Sequence, residues 1–303
     1  SDKNIKNALD FALLEDFDHL YRYANLLESD MNLKAEDYVG DYTEIMPARP
    51  TIAHHRHPYD SVKNPICNKK ATPFDKCAVN IITAAEQQTM NYYMNLGGFY
   101  KNQKGREIYT EIAMVEEQHV THYGSLIDPT ASWFEMCLMH EYIECYLYYS
   151  MLNDESDKNI KTIWEKLLEQ EISHLHTAAK NLKKYEKKEW QEVIPDGKFP
   201  ELIKFKSNKS YIRNIIKDTI ENTADREGYI NINDLPENAD FFIYQHKVNK
   251  NPKDDASHKV TQEHIDMFGE DYRVQDKEHP VEELRSRKED NVNIGRIPKS
   301  FKK

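Results

Sequence analysis

The chain is poor in glycine and in paired cysteines, and it lacks any long apolar run. Only 9 of its 303 residues are glycine, which is few for a β protein with many glycine turns and suits long helices. Its 4 cysteines include no CxxC pair, so they predict no zinc knuckle or other four-thiolate metal site. No apolar run approaches the roughly 18–20 residues of a bilayer span, and no hydrophobic signal segment opens the chain. We therefore expect a cytoplasmic protein without a membrane span.

The charge balance argues against nucleic acid as a partner. The chain has 41 Lys plus Arg against 52 Asp plus Glu, a formal net charge of −11, which disfavours a dedicated nucleic-acid-binding protein. No Gly-rich phosphate loop and no Ser-His-Asp or Cys-His nucleophile arrangement is visible in the sequence. A hydrophobic content of 39% with 11% aromatic residues argues against general disorder.

Hydrophobic periodicity predicts an all-α protein of three segments. Residues 1–75 comprise an N-terminal helix, over about 5–28, and an arm whose five prolines forbid a long helix. Residues 76–185 comprise four helices of bundle length, the third framed at its start by Ser132 and Glu135. Residues 186–303 form a long polar C-terminal extension, partly helical and either wrapping or flexible, in which 276–303 reads as a solvated or wrapping tail.

Each of the four bundle helices carries acidic residues in the middle of an apolar stripe. They are Glu86 on the first helix, Glu116 with His119 on the second, Glu141 with Glu144 on the third, and Glu171 with His174 on the fourth. Burying lone carboxylates is very costly unless positive charge neutralises them. Four such stripes meeting in one core would gather five Glu and two His, which predicts a pair of metal ions.

The spacing of these residues strengthens the prediction. Each Glu-x-x-His pair has i, i+3 spacing and so projects from one helix face. The set repeats at an offset of 55 residues, from Glu86 to Glu141 and from His119 to His174, and Tyr93 and Tyr148 obey the same repeat. This repeat predicts a duplicated helical hairpin with an approximately two-fold symmetric site. Carboxylates with one imidazole per metal suit iron or manganese.

These motifs resemble those of the ferritin-like superfamily, and within it most closely the rubrerythrin-like proteins. The likeness is carried by AAEQQ around Glu86, EEQH at 116–119, EYIE at 141–144 and EISH at 171–174, and it covers about residues 80–180. It implies a ferritin-like four-helix bundle with two iron ions per chain, or manganese. Glu116 and Glu171 would bridge the metals, Glu86 and His119 would complete one of them, and Glu141 and His174 the other.

The resemblance also implies further roles and an activity. Glu144 would ligate one metal when the site changes redox state, and Tyr93 and Tyr148 would donate hydrogen bonds to the carboxylates, unless they are plain core aromatics. The implied activity is reduction of hydrogen peroxide or dioxygen. Because the chain lacks the four thiolates of a rubredoxin domain, its electrons would come from an external rubredoxin-like or flavoprotein donor. The resemblance also implies a homodimer.

Two alternative functions remain open from the sequence. One is an oxygen-activating di-iron hydroxylase, in which the arm and the extension shape a pocket for an organic substrate. The other is a non-catalytic iron or manganese storage protein.

Two weaker signals lie outside the bundle. The loop His54-His55-Arg56-His57 is interpreted as a cluster of surface histidines. The N-terminal helix carries Glu15, Asp18, His19 and Arg22 on one polar face, for which we expect a solvated or salt-bridged face, with docking against the histidine loop as the alternative.

Overall fold

The structure is a computed structural model that describes residues 2–249, 251–273 and 277–294. Helix accounts for 64% of these residues, which confirms the predicted, mainly helical class. The α-helices are α1 (Lys3–Met31), α2 (Glu36–Val39), α3 (Pro73–Phe99), α4 (Gln103–Gly124), α5 (Trp133–Asp154), α6 (Lys158–Asn181), α7 (Lys209–Thr219), α8 (Asp240–Val248) and α9 (Ala256–Phe268). The predicted N-terminal helix corresponds to α1 and the four predicted bundle helices to α3–α6. Their arrangement as one four-helix bundle stays a prediction.

The remaining regular structure is short. Strands β1 (Asn222–Asp225) and β2 (Gly228–Asn231) pair antiparallel, with Asn222 opposite Asn231 and Asp225 opposite Gly228. The Pro-rich arm contains only α2 and the 3-10 turns Thr51–His54 and Pro58–Ser61. The arm therefore lacks a long helix, as its prolines require.

Side-chain caps define where three of the long helices begin. Asn102 accepts a hydrogen bond from the backbone of Gly105 at the start of α4, and Asp157 caps the first turn of α6. Ser132 and Glu135 form a reciprocal capping box before α5. Such caps satisfy backbone N–H groups that have no partner inside the helix.

The chain divides into two compact units. The hairpin unit contains Pro65–Ile82 and Leu126–Lys204, with the start of the chain up to Ile5; the large unit contains Lys6–Asn64, Thr83–Ser125 and the described residues from Phe205 onward. Helix α3 therefore contributes its residues up to Ile82 to one unit and those from Thr83 to the other. These units cut across the three segments predicted from the sequence, whose assignment as domains stays a prediction.

The hairpin unit is built on α5 and α6, joined by residues 155–157. Its core contains Leu138 and Tyr142 of α5, Ala178 of α6, and Cys77 from the beginning of α3. Most of α6 stays exposed, including the apolar side chains of Ile160, Ile163 and Ile172.

The large unit is organised around α1. Leu14 and Phe17 of α1 share a core with α7 and with Val281, Leu284 and Ile294, whereas Leu26 shares another with α4 and α9. Residues 277–294 are thus partly buried, so of the two alternatives given for the tail, solvated or wrapping, this part does not follow the solvated one. Residues 274–276 and 295–303 of the extension lie outside the described residues.

The polar face of α1 is also buried. Glu15, Asp18, His19 and Arg22 are each at most 3% exposed. Arg22 donates to Asp18 and Asp290, and Arg56 of the histidine loop donates to Glu15. Salt bridging and docking against the loop therefore occur, and the solvated alternative is wrong.

No helix within the described parts of the chain combines the length and the apolar character that crossing a bilayer demands.

Candidate metal centre

Helices α1, α3 and α4 bring four potential metal ligands together in the large unit. Asp16, Glu86, Glu116 and His119, called here the buried ligand group, each offer one ligand atom, and these atoms lie within 4.8 Å of one another. Glu86 is 7% exposed, Glu116 2% and His119 0%, whereas the Asp16 side chain is 36% exposed. Glu116 and His119 share one face of α4 because they are three residues apart.

The Nδ1 atom of His119 faces the carboxylates of this group. It lies 3.1 Å from Glu116 Oε2, 3.3 Å from Asp16 Oδ1 and 3.7 Å from Glu86 Oε2. One imidazole nitrogen and three carboxylates from three helices thus converge on one position.

The other nitrogen of His119 is held by Glu15. His119 Nε2 lies 2.7 Å from Glu15 Oε2, and Arg56 donates to Glu15 Oε1 at 3.0 Å. A carboxylate paired with an arginine accepts a proton-bearing nitrogen, so Nε2–H donates to Glu15 and Nδ1 is left facing the ligand group, where it carries a proton without a metal and would be a ligand with one. This is the carboxylate–histidine pairing that commonly orients a metal-ligating imidazole.

His19 of α1 reaches the same carboxylate from the other side. Its Nδ1 lies 2.9 Å from Glu116 Oε1, and its ring centroid is 6.0 Å from that of His119. Sequence reasoning missed Asp16 and His19 as members of the site. The signal that could have found them is their i, i+3 spacing, which repeats that of Glu116 and His119 with an aspartate in place of the glutamate.

The group carries more negative charge than the nearby fixed cations balance. Burial raises the pKa of Glu86 to about 7. Burial alone lowers the pKa of His119, yet Asp16, Glu116 and Glu15 raise it well above its ordinary value. Burial likewise opposes ionisation of Glu116, but His19 and His119 hold its pKa far below the usual range. Without a metal, protons on the imidazoles and on Glu86 supply the positive charge that the buried carboxylates require.

Tyr93 lies beside this group in a cluster of aromatic rings. Its centroid is 5.2 Å from that of Tyr23 and 5.8 Å from that of Tyr109. Burial and the nearby carboxylate of Glu116 raise its pKa. Its hydroxyl group makes no hydrogen bond among the described residues, so a role as donor to a carboxylate stays a prediction.

A second set of predicted ligands lies in the hairpin unit. Glu141, Glu171 and His174, called here the hairpin ligand group, bring one ligand atom each within 4.8 Å of the others. His174 Nδ1 lies 3.1 Å from Glu171 Oε2 and 3.9 Å from Glu141 Oε2, but the His174 side chain is 59% exposed. Burial and the neighbouring Glu171 raise the pKa of Glu141. This group is more open to solvent than the buried one and holds fewer ligands.

The seven predicted metal ligands therefore do not all belong to one group. Glu86, Glu116 and His119 belong to the large unit, and Glu141, Glu171 and His174 to the hairpin unit. Glu144 belongs to neither of these two groups of described residues, and Tyr148 packs its ring 6.1 Å from that of Trp164. One shared site for all seven stays a prediction.

The histidine loop differs from its predicted surface position. His54 is 0% and His55 7% exposed, so the interpretation as surface histidines is wrong for both. Gln245 donates a hydrogen bond to the backbone carbonyl of His55 and holds the loop in the large unit.

Comparison with known proteins finds no matching family model, curated protein or solved structure. The functional assignment therefore depends on the geometry of the buried ligand group and on the motifs of the sequence.

Proposed function

We propose that the protein is a di-iron carboxylate oxidoreductase that reduces hydrogen peroxide or dioxygen, as its resemblance to rubrerythrin-like proteins implies. The observation that carries this proposal is the convergence of Asp16 with the buried Glu86, Glu116 and His119 in the large unit.

The donor set fits a metal ion for an electrostatic reason. Carboxylates placed close together repel each other, and Glu86 and Glu116, which are buried, also lose their hydration. Arg56 is committed to Glu15 by its hydrogen bond, which leaves Asp16, Glu86 and Glu116 to be balanced by protons or by a cation. A divalent ion supplies that charge at one point and uses the oxygen atoms that already converge there.

The chemistry of the donors selects the class of metal. The buried ligand group contains carboxylate oxygen and imidazole nitrogen, with no thiolate. This combination suits iron or manganese better than structural zinc, which favours sulfur-rich tetrahedral sites. Of the two, iron fits the proposed two-electron reduction.

The residues around the group have separate tasks in such a reaction. A bound iron pair would supply the Lewis acid and the electrons for reduction of the oxidant. Glu15 fixes the imidazole of His119, and the helix packing that buries the group excludes bulk water. Glu86 would contribute its carboxylate as a ligand beside His119. An external rubredoxin-like or flavoprotein donor would restore the electrons.

The test is metal content and oxidation by peroxide in matched variants. Protein purified without a nickel column is loaded anaerobically with Fe(II), analysed by plasma mass spectrometry, and followed by visible absorption after peroxide is added. Wild type should retain stoichiometric iron and develop oxo-bridged ferric absorption rapidly. Glu116→Gln should lose the iron, because it removes the carboxylate that contacts both imidazoles.

The matched control is Glu117→Gln, which changes the next residue of α4, an exposed one. This variant should bind iron and react as wild type does. Absence of stoichiometric iron or manganese in reconstituted wild type would refute metal binding. Manganese with catalase activity would retain the metal centre and overturn the proposed reaction.

A further inference from the structure

The carboxylate of Glu116 faces two imidazoles, one with each of its oxygen atoms. Glu116 Oε2 lies 3.1 Å from His119 Nδ1, and Glu116 Oε1 lies 2.9 Å from His19 Nδ1. Both nitrogens are the Nδ1 atoms of the histidine that ends an acidic-x-x-His motif, one on α4 and one on α1. A carboxylate in this position can serve a different cation with each oxygen.

The spacing of these donor atoms fits ligation as well as hydrogen bonding. Nitrogen and oxygen ligands bind first-row metal ions at about 2.0–2.2 Å, so two ligands at right angles on one ion lie about 3 Å apart. The two nitrogen–oxygen distances at Glu116 have this value. Asp16 Oδ1 is 3.3 Å from His119 Nδ1 and 3.9 Å from His19 Nδ1, so this oxygen is within reach of both positions.

His19 is buried with part of its hydrogen-bonding capacity unused. The residue is 3% exposed, and its Nε2 atom has no hydrogen-bond partner among the described residues. Burying an imidazole of which only Nδ1 is engaged costs free energy. Ligation of a metal ion by Nδ1 would stabilise the buried side chain more than its single hydrogen bond to Glu116 does.

We propose that His19 Nδ1 and Glu116 Oε1, with Asp16 nearby, hold a second metal ion, so that the two-metal centre lies within the large unit and Glu116 bridges it. This inference rests on the proposed function and changes the source of one imidazole. The sequence repeat predicts His174 of α6 as the second imidazole ligand, whereas the geometry points to His19 of α1.

The burial of the two candidate histidines favours α1. His19 is almost fully buried, whereas the His174 side chain is 59% exposed. Buried ligands bind more tightly because they are already desolvated and held in place by packing.

Cobalt(II) titration of the metal-free full-length chain tests this inference. Visible absorption counts the bound ions, and electron paramagnetic resonance reports whether they are coupled. We expect two equivalents in wild type, with a loss of signal per cobalt when the second ion joins the first through the bridging carboxylate. His19→Gln should bind one equivalent, and the matched variant His174→Gln should bind two.

Each alternative result has a defined meaning. Two equivalents in His19→Gln, or loss of one in His174→Gln, would overturn the inference and support the ligand set drawn from the sequence repeat. One equivalent in wild type would overturn it and leave a mononuclear centre. No binding in wild type would refute the proposed function itself.

Rescue by free imidazole separates ligation from structural support. His19→Ala opens a buried space of imidazole size, and added imidazole should restore binding of the second cobalt ion. If His19 had only a structural role, added imidazole would not restore it. If circular dichroism shows that both His19 variants lose helical content, the electron paramagnetic resonance signal of cobalt-loaded wild type tests the proposal instead. Two uncoupled cobalt ions would overturn it.

Discussion

At the scale of single residues, the orientation of His119 depends on a carboxylate that is not itself a candidate ligand. Glu15 accepts a hydrogen bond from His119 Nε2, and burial of Glu15 is offset by Arg56 and His119, which hold its pKa well below the usual range. Removing such a partner commonly weakens metal binding 10–100-fold.

We therefore expect Glu15→Gln to weaken metal affinity by about 10–100-fold without changing the number of ions bound. Competition with a chelator of known affinity measures this change. The control is Asp10→Asn, also on α1, whose partly exposed carboxylate pairs with Lys6 and accepts a hydrogen bond from Tyr211; this variant should leave affinity unchanged. An affinity in Glu15→Gln equal to that of wild type would show that packing alone orients His119.

A second residue-scale prediction concerns the histidine loop and acid stability. Burial and the neighbouring Arg56 lower the pKa of His55 from 6.5 to about 4. Between these two values the unfolded chain binds a proton at His55 and the folded chain does not, so stability falls as pH falls from 6.5 to 4. The difference corresponds to about 3 kcal/mol when fully developed.

Urea unfolding at pH 7 and at pH 4 checks this value in His55→Phe. The phenylalanine keeps a ring beside Tyr244, 5.7 Å away in the native chain, and removes the titrating group. We expect the variant to lose about 3 kcal/mol less than wild type on acidification. The control His57→Phe changes a partly exposed ring of the same loop and should lose as much as wild type; equal losses in all three chains would contradict the prediction.

At the scale of elements, the capping box of α5 offers a test confined to the hairpin unit. Ser132 Oγ accepts a hydrogen bond from the backbone N–H of Glu135, and the Glu135 carboxylate accepts one from the backbone N–H of Ser132. Loss of a serine cap typically costs about 1 kcal/mol. We expect Ser132→Ala to lower the free energy of unfolding by this amount.

Tryptophan emission during urea unfolding is the readout. The matched control is Ser173→Ala, at an exposed position within α6 and away from its ends. Alanine is the better helix former there, so no loss of unfolding free energy is expected. A loss of equal size in both variants would assign the effect to the exchange of serine for alanine and remove the cap from the explanation.

The elements were more predictable than their contacts. Periodicity and the Ser132–Glu135 signal located α5, and i, i+3 spacing alone brought Glu116 beside His119, because both depend on one helix. Asp16 and His19 could not be placed in the same way, since the packing of α1 on α4 joins residues about a hundred positions apart. A polar helix face looks solvated in a sequence when its partners, such as Arg56 for Glu15, lie on a distant loop.

At the scale of the whole molecule, the two units carry different reporters. All three tryptophans, Trp133, Trp164 and Trp190, belong to the hairpin unit, whereas the buried ligand group belongs to the large unit. Tryptophan emission therefore follows a unit that, on the proposed assignment, binds no metal of the centre. A ligand stabilises only the folded structure that binds it, by about 2.7 kcal/mol at a hundred times its dissociation constant.

We accordingly expect saturating cobalt(II) to slow amide hydrogen exchange in α1 and α4 and to leave the urea midpoint of tryptophan emission unchanged. Exchange measured by mass spectrometry resolves α1 and α4 from α5 and α6, and His119→Gln, which removes an imidazole of the group, should abolish the protection. If α6 gains protection equal to that of α4 and the tryptophan midpoint rises with it, the metal is held by both units. That result would favour the single seven-ligand centre predicted by the sequence repeat, because a shared site stabilises both units through the same ions.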